Sequence, residues 1–165
     1  GKVTPTDAAE RDFKHDPKYL SLRVGMNSRL DTIQAAILLE KLKIFDDEIE
    51  KRQVVAARYG DGLKDHVLSV PGVIDEGVST WAQYVIEHEN RDGLQAHLGE
   101  HGIPSAGYYP VPIHMQDFAE DYPVAPDGLP VTESKAKTVI ALPMHPYLST
   151  QDQDRVIDAI RGFNG

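Results

Sequence analysis

Asn27 and Arg29 stand two residues apart, immediately before a run that reads as a helix start, Leu30-Asp31-Thr32-Ile33-Gln34-Ala35-Ala36. In an extended approach such residues point the same way, so an amide and a guanidinium converge. Both then sit beside the positive end of a helix, where anions are stabilised. The pair reads as an anion site at the mouth of a helix. A second group of polar side chains lies in Tyr108-Tyr109-Pro110-Val111-Pro112-Ile113-His114-Met115-Gln116. There, prolines stiffen a segment that carries hydroxyl, imidazole and amide groups. That chemistry suits a polyhydroxylated ligand such as a sugar. It also suits a proline-rich surface loop whose tyrosines pack on the domain.

Other constellations carry less. His97 and His101 have the i, i+4 spacing of a zinc pair, but the residues between them are Leu98, Gly99 and Glu100, not those of a metalloprotease helix. They fall in a last helical turn, where histidine complements the dipole, so a structural role is expected and no metal. Ser134-x-x-Lys137 matches the spacing of serine acylases without their companion motifs and is set aside. His145, between two prolines, reads as structural.

The elements that position these groups follow from periodicity. From Asp31 to Leu63 nothing breaks a helix. Leu38, Leu42, Phe45, Ile49, Ala56, Tyr59 and Leu63 fall on one face, and Leu30, Ile33 and Ile37 begin a second stripe. Ser28-x-x-Asp31 and Asp31-x-x-Gln34 both fit a capping box. Roughly 33 helical residues would span roughly 50 Å, against a diameter of about 40 Å for a domain of this size. The helix therefore bends around Asp46-Asp47 or overhangs its domain and needs a second body; the alternative is a kinked pair of ordinary helices. Trp81 to His88 alternates as a half-buried strand. Asn90 caps a helix ending at Gly102-Ile103-Pro104. Thr132 to Thr138 reads as a helix, Val139 to Leu142 as a short strand, and Ser149-x-x-Asp152 opens a last helix. The expected class is α+β: a small, largely antiparallel sheet covered by helices, with one very long N-terminal helix.

Bulk properties narrow the function. The 165 residues carry a net charge of −9 and no cysteine. An acidic chain without a Lys/Arg run does not wrap nucleic acid or lie on an anionic membrane. A disulfide scaffold and a cysteine zinc site are excluded, and no apolar run is long enough to span a bilayer. A cytoplasmic protein is expected. Residues 1–24 are polar with little periodicity, and an opening Gly1-Lys2 without Met points to a piece of something longer.

Taken in order, several motifs resemble one family. They are Gly25-Met26-Asn27-Ser28-Arg29-Leu30-Asp31, Gln34-Ala35-Ala36-Ile37-Leu38, Arg52…Ala56…Tyr59…Leu63, Ser79-x-Trp81-Ala82-Gln83-Tyr84, Gly102-Ile103-Pro104, Tyr109-Pro110-Val111-Pro112-Ile113-His114 and Leu142-Pro143-Met144-His145-Pro146. From about Tyr19 onward they resemble the carboxy-terminal part of DegT/DnrJ/StrS sugar-nucleotide aminotransferases, pyridoxal-phosphate enzymes of the aspartate-aminotransferase fold. The resemblance implies that residues 25–165 are the small domain of such an enzyme and residues 1–24 the remnant of a missing N-terminal large domain.

The resemblance further implies a homodimer in which this part of one chain completes the neighbour's site. Asn27 would bind the neighbouring cofactor's phosphate and Arg29 the nucleotide diphosphate or another substrate anion. Tyr108, Tyr109 and His114 would contact the sugar or nucleotide, although many relatives carry histidine at the Tyr108 position. The Schiff-base lysine belongs to the large domain, and no lysine here sits in a comparable context. The chain alone is then expected to be catalytically inactive and not to retain pyridoxal phosphate. The intact enzyme would move an amino group, commonly from glutamate, to a keto-sugar nucleotide, with a lean toward 3-keto sugars. Two alternatives stay open: a related pyridoxal-dependent sugar dehydratase, and a non-catalytic dimerisation or sugar-nucleotide-binding module.

Overall fold

Residues 30–116, 119 and 123–165 are described by the computed structural model, which divides into two units, residues 1–43 and 44–165. In the first unit, helix α1 (Thr32–Leu42) begins at Asp31, whose extended backbone accepts a 2.8 Å hydrogen bond from the Ala35 N–H. The Asp31 carboxylate makes no capping bond, so this half of the expected capping box is realised in backbone only; Ser28 lies outside the described residues. No residue of α1 is buried, and Ile33, Ile37, Leu38, Leu39 and Leu42 are all exposed.

The single long helix expected from Asp31 to Leu63 is two helices. The Lys43 N–H turns to Glu40 O, three residues back, and Ile44 leaves the helical region at φ −111° and ψ 3°. Helix α2 (Phe45–Leu63) then restarts, with the Glu48 N–H bonded to Ile44 O at 3.0 Å. Asp46, Asp47 and Glu48 occupy its first turn, where acidic side chains complement the exposed N–H dipoles. The break precedes these acids directly.

The second unit folds around the inner face of α2. Val55, Ala56, Tyr59 and Leu63 are buried at helical spacing, whereas Leu38, Leu42 and Phe45, assigned to the same stripe by sequence, are exposed. Strand β1 (Tyr84–Glu87) alternates, with Tyr84 and Ile86 inward. It pairs antiparallel with β2 (Val139–Leu142), Tyr84 opposite Leu142 and Ile86 opposite Ile140. Isolated bridges widen this two-stranded sheet on both sides: Ser69 pairs with Glu87, and Ala106 with Ala141. The expected strand from Trp81 shortens to Tyr84, because Trp81 adopts φ +49°.

Between the strands, helix α3 (Arg91–Glu100) starts where Asn90 Oδ1 accepts the Gly93 N–H at 3.0 Å. It ends with Gly102 at φ +68°, the Gly102 N–H on Gly99 O and the Ile103 N–H on Leu98 O. These are the paired bonds of a Schellman ending, which needs the left-handed backbone that glycine adopts without penalty. Helix α4 (Pro130–Thr138) begins two residues before the expected Thr132, with proline in the first turn where its missing N–H is harmless. Helix α5 (Thr150–Arg161) is capped by Ser149 Oγ, which accepts the Asp152 N–H at 3.0 Å. Its buried Val156, Ile157 and Ile160 join Leu63, Ile86, Leu94, Leu98 and Ile140 in one core. Each fully buried aliphatic side chain stabilises by about 1.5–3 kcal/mol. The one buried polar side chain recorded there, Gln153, donates to Val55 O at 2.7 Å and ties α5 to α2. No helix among the described residues is long and apolar enough to cross a membrane.

Candidate functional site

The Tyr108–Gln116 loop leaves the sheet at Ala106, which exchanges backbone hydrogen bonds with Ala141 at 3.2 and 2.8 Å. At the next residue, Gly107, a Cβ would lie 2.0 Å from Arg91 Nη1, so the end of the flexible Arg91 side chain occupies the place of a side chain. Tyr109 then adopts φ +56°, a region costly for a residue with a Cβ. Its side chain is 84% exposed, against 47% for Tyr108. Beyond Pro112, the loop turns through a short 3-10 segment, Ile113–Met115.

His114 fastens this turn to α4. Its Nε2 lies 3.1 Å from Glu133 Oε1, and its side chain is only 15% exposed. Gln116 donates to Val111 O at 3.2 Å and closes the loop on itself. Of the three loop residues expected to bind ligand, the tyrosines are presented to solvent and His114 is turned inward to an acidic partner. Asn27 and Arg29 lie outside the described residues.

Tyr108 stands between two clefts. One, of about 300 Å³, opens at the end of the sheet and is lined by Gln83, Pro104, Ser105, Tyr108, Pro143 and Met144, among others. It gathers residues from motifs that lie far apart in the chain. The other, of about 550 Å³ and mostly apolar, lies between the loop and α4, where Tyr109, Ile113, Gln116, Thr132 and Lys135 contribute. The Lys135 ammonium is held at 2.6 Å by both Glu87 oxygens. Lys135, Ser69 and Thr138 together hold the Glu87 carboxyl below its ordinary value, the Lys135 bond contributing most.

The wall of the smaller cleft is set from α2. Arg52 Nη1 donates to Trp81 O at 2.8 Å, the Trp81 indole N–H donates to Gln53 Oε1 at 2.7 Å, and Gln53 Nε2 donates to Ser79 O at 2.5 Å. These bonds hold Trp81 in its left-handed conformation just before Ala82 and Gln83 enter the cleft. Behind them the Tyr84 ring packs against Trp81 and Tyr59, with centroids 5.6 and 5.1 Å away. Burial, reinforced by the Asp61 charge, pushes the Tyr84 hydroxyl up to about 12. Burial raises Tyr59 as well, and its hydroxyl donates to Pro143 O at 3.0 Å on the opposite lip. Within Ser79-x-Trp81-Ala82-Gln83-Tyr84, Gln83 reaches the cleft although nothing in its local spacing marks it.

The two paired histidines are occupied structurally. His97 Nε2 lies 3.1 Å from Ala159 O and His101 Nδ1 2.8 Å from His97 O, with the His97 ring against Phe163. His145 Nδ1 accepts the Tyr147 N–H. No cluster of three or more His, Asp or Glu side chains suited to a metal occurs among the described residues.

The DegT/DnrJ/EryC1/StrS aminotransferase family matches residues 7–161, and the chain belongs to that family. It is 46% identical over 135 residues to the UDP-2-acetamido-2-deoxy-3-oxo-D-glucuronate aminotransferase of Pseudomonas aeruginosa, covering 82% of this chain and 37% of that protein. It is 32% identical to the dTDP-3-amino-3,6-dideoxy-alpha-D-galactopyranose transaminase of Aneurinibacillus thermoaerophilus, covering 99% of this chain and 46% of that one. Among solved structures, a DegT DnrJ EryC1 StrS aminotransferase from Brucella abortus matches with a TM-score of 0.80 and 55% identity, over 92% of this chain and 40% of that one. DesV of S. venezuelae matches with a TM-score of 0.77 and 33% identity, over 96% and 44%. The chain thus spans less than half the length of these relatives.

Proposed function

We propose that this chain is the carboxy-terminal part of a pyridoxal-phosphate-dependent aminotransferase that converts a 3-keto-sugar nucleotide to the 3-amino sugar, with glutamate as amino donor. Family membership over residues 7–161 carries this reading. The position on the sugar is supported by the names of relatives, which specify a 3-oxo or a 3-amino sugar. A sugar nucleotide suits the loop chemistry, since Tyr108 and Tyr109 present hydroxyls and aromatic faces beside the two clefts.

Pyridoxal phosphate needs a lysine amine to hold it and to move protons. Lys135 lines the larger cleft, but its ammonium is held by Glu87. In this reading the cofactor's lysine comes from a large domain in the longer protein. Asn27 binds the phosphate of the cofactor held by a second subunit, and Arg29 binds the substrate diphosphate. Tyr108 and Tyr109 contact the sugar or nucleotide, while His114, through Glu133, sets the loop that carries them. The exposed aliphatic side chains of α1 support packing against a further body, the large domain or the second subunit of a homodimer.

The test uses the protein from the complete reading frame. Loaded with pyridoxal phosphate, it shows the cofactor's visible absorbance band, which glutamate bleaches and a 3-keto-sugar nucleotide restores. The 165-residue chain shows neither change. Absence of the band in the complete protein, or bleaching that the keto sugar does not reverse, overturns the reading.

A further inference from the structure

Among the glutamines of the second unit, Gln53, Gln95, Gln116 and Gln153 each donate to a backbone carbonyl, those of Ser79, Ser105, Val111 and Val55. Their carboxamides are committed to structure. Gln83 and Gln151 have no such bond among the described residues; both are exposed, and of the two only Gln83 lines the smaller cleft, with its carboxamide open to solvent. Tyr108, 47% exposed, also lines that cleft.

The backbone leading to Gln83 is held at some cost. Trp81 adopts φ +49° under bonds from Arg52 and Gln53, and one residue beyond Tyr108, Tyr109 adopts φ +56°. Two of the three left-handed non-glycine residues recorded thus flank the two walls of one cleft. Such conformations persist only where surrounding structure over-determines them. Both sides place an exposed polar side chain at the rim.

We infer that Gln83 is a ligand-binding residue of the sheet-end cleft, where its carboxamide hydrogen-bonds the hydroxyls of a hexose ring. An amide supplies two donors and an acceptor, and a sugar hydroxyl offers both in return. A volume of about 300 Å³ is at the lower end of small-molecule sites and takes one sugar unit rather than a whole sugar nucleotide. The inference rests on the proposed sugar-nucleotide reading and deepens it, because it says which wall of the domain meets the sugar.

The test is an NMR titration of the isotopically labelled protein from the complete reading frame with UDP-N-acetylglucosamine, N-acetylglucosamine and UDP separately. The Gln83 side-chain amide signals shift saturably with both sugars and stay still with UDP. Gln83→Leu weakens sugar binding about fivefold, the loss of one hydrogen bond, with spectral dispersion unchanged. Gln83→Asn, which keeps the amide on a shorter stem, binds between the two. Gln83 signals that stay still with every probe, or unchanged affinity in Gln83→Leu, overturn the inference. Amino transfer by the complete protein judges the underlying reading separately, so a silent Gln83 beside intact amino transfer sinks the inference alone.

Discussion

The Trp81 indole N–H donates to Gln53 Oε1 at 2.7 Å across 28 residues of sequence, and the same Gln53 reaches Ser79 O through its Nε2. One side chain of α2 thus grips both ends of the Ser79–Trp81 segment. With Arg52 on the Trp81 carbonyl, it keeps a tryptophan at positive φ and so fixes where Gln83 begins. Gln53→Ala leaves the indole N–H and the Ser79 carbonyl unpaired. The expected cost is about 1–3 kcal/mol, read as a lower urea midpoint together with a shifted Trp81 emission. An unchanged midpoint and spectrum would show that the clamp holds nothing.

Gly107 and Arg91 test the loop's anchor. Gly107→Ala places a Cβ 2.0 Å from Arg91 Nη1, so the guanidinium must move or the loop must lift. Because the guanidinium is the far end of a flexible side chain, the expected cost lies at the low end of overpacking, about 1 kcal/mol. Calorimetric melting shows the loss, and Arg91→Ala in the same chain recovers part of it. Equal melting of the single and double variants would place the clash elsewhere.

The Glu87 network predicts a pH dependence. Its folded carboxyl titrates below the ordinary value of 4.5, chiefly because Lys135 donates to both oxygens. A lowered folded pKa means the unfolded chain binds the proton more readily, so the contribution is fully present above pH 4.5. It is lost as pH falls from there through the folded value. Unfolding free energies of the wild type and Glu87→Gln therefore differ most near neutrality and converge in acid. A constant gap across that window would assign the effect to packing.

Where local chemistry decides, the fold was legible. Asn90, Ser149 and Gly102 cap their helices as expected, because each cap uses atoms within a few residues. Strand β2 and the inner face of α2 from Ala56 to Leu63 followed from periodicity alone. The break was only weighed, as a bend around Asp46-Asp47 or a kinked pair, and its place at Lys43–Ile44 did not follow, since neither proline nor glycine marks it and only the acidic first turn of α2 betrays a restart. The late start of β1 was hidden too, because Trp81's backbone is set by Arg52 and Gln53 from another element. In the candidate site, the proline-stiffened loop suited either ligand contact or packing of its tyrosines on the domain, and the sequence did not decide that Tyr109 is exposed. His114's commitment to Glu133, 19 residues away, was not legible either.

The central claim is amino transfer to the C3 position of a sugar nucleotide. The most direct measurement supplies 15N-glutamate and a UDP-3-keto sugar to the protein from the complete reading frame, then locates the label in the product by NMR. The account predicts 15N on C3 of the sugar and 2-oxoglutarate in equal amount. Label at another carbon, or a sugar product without 15N, would contradict it.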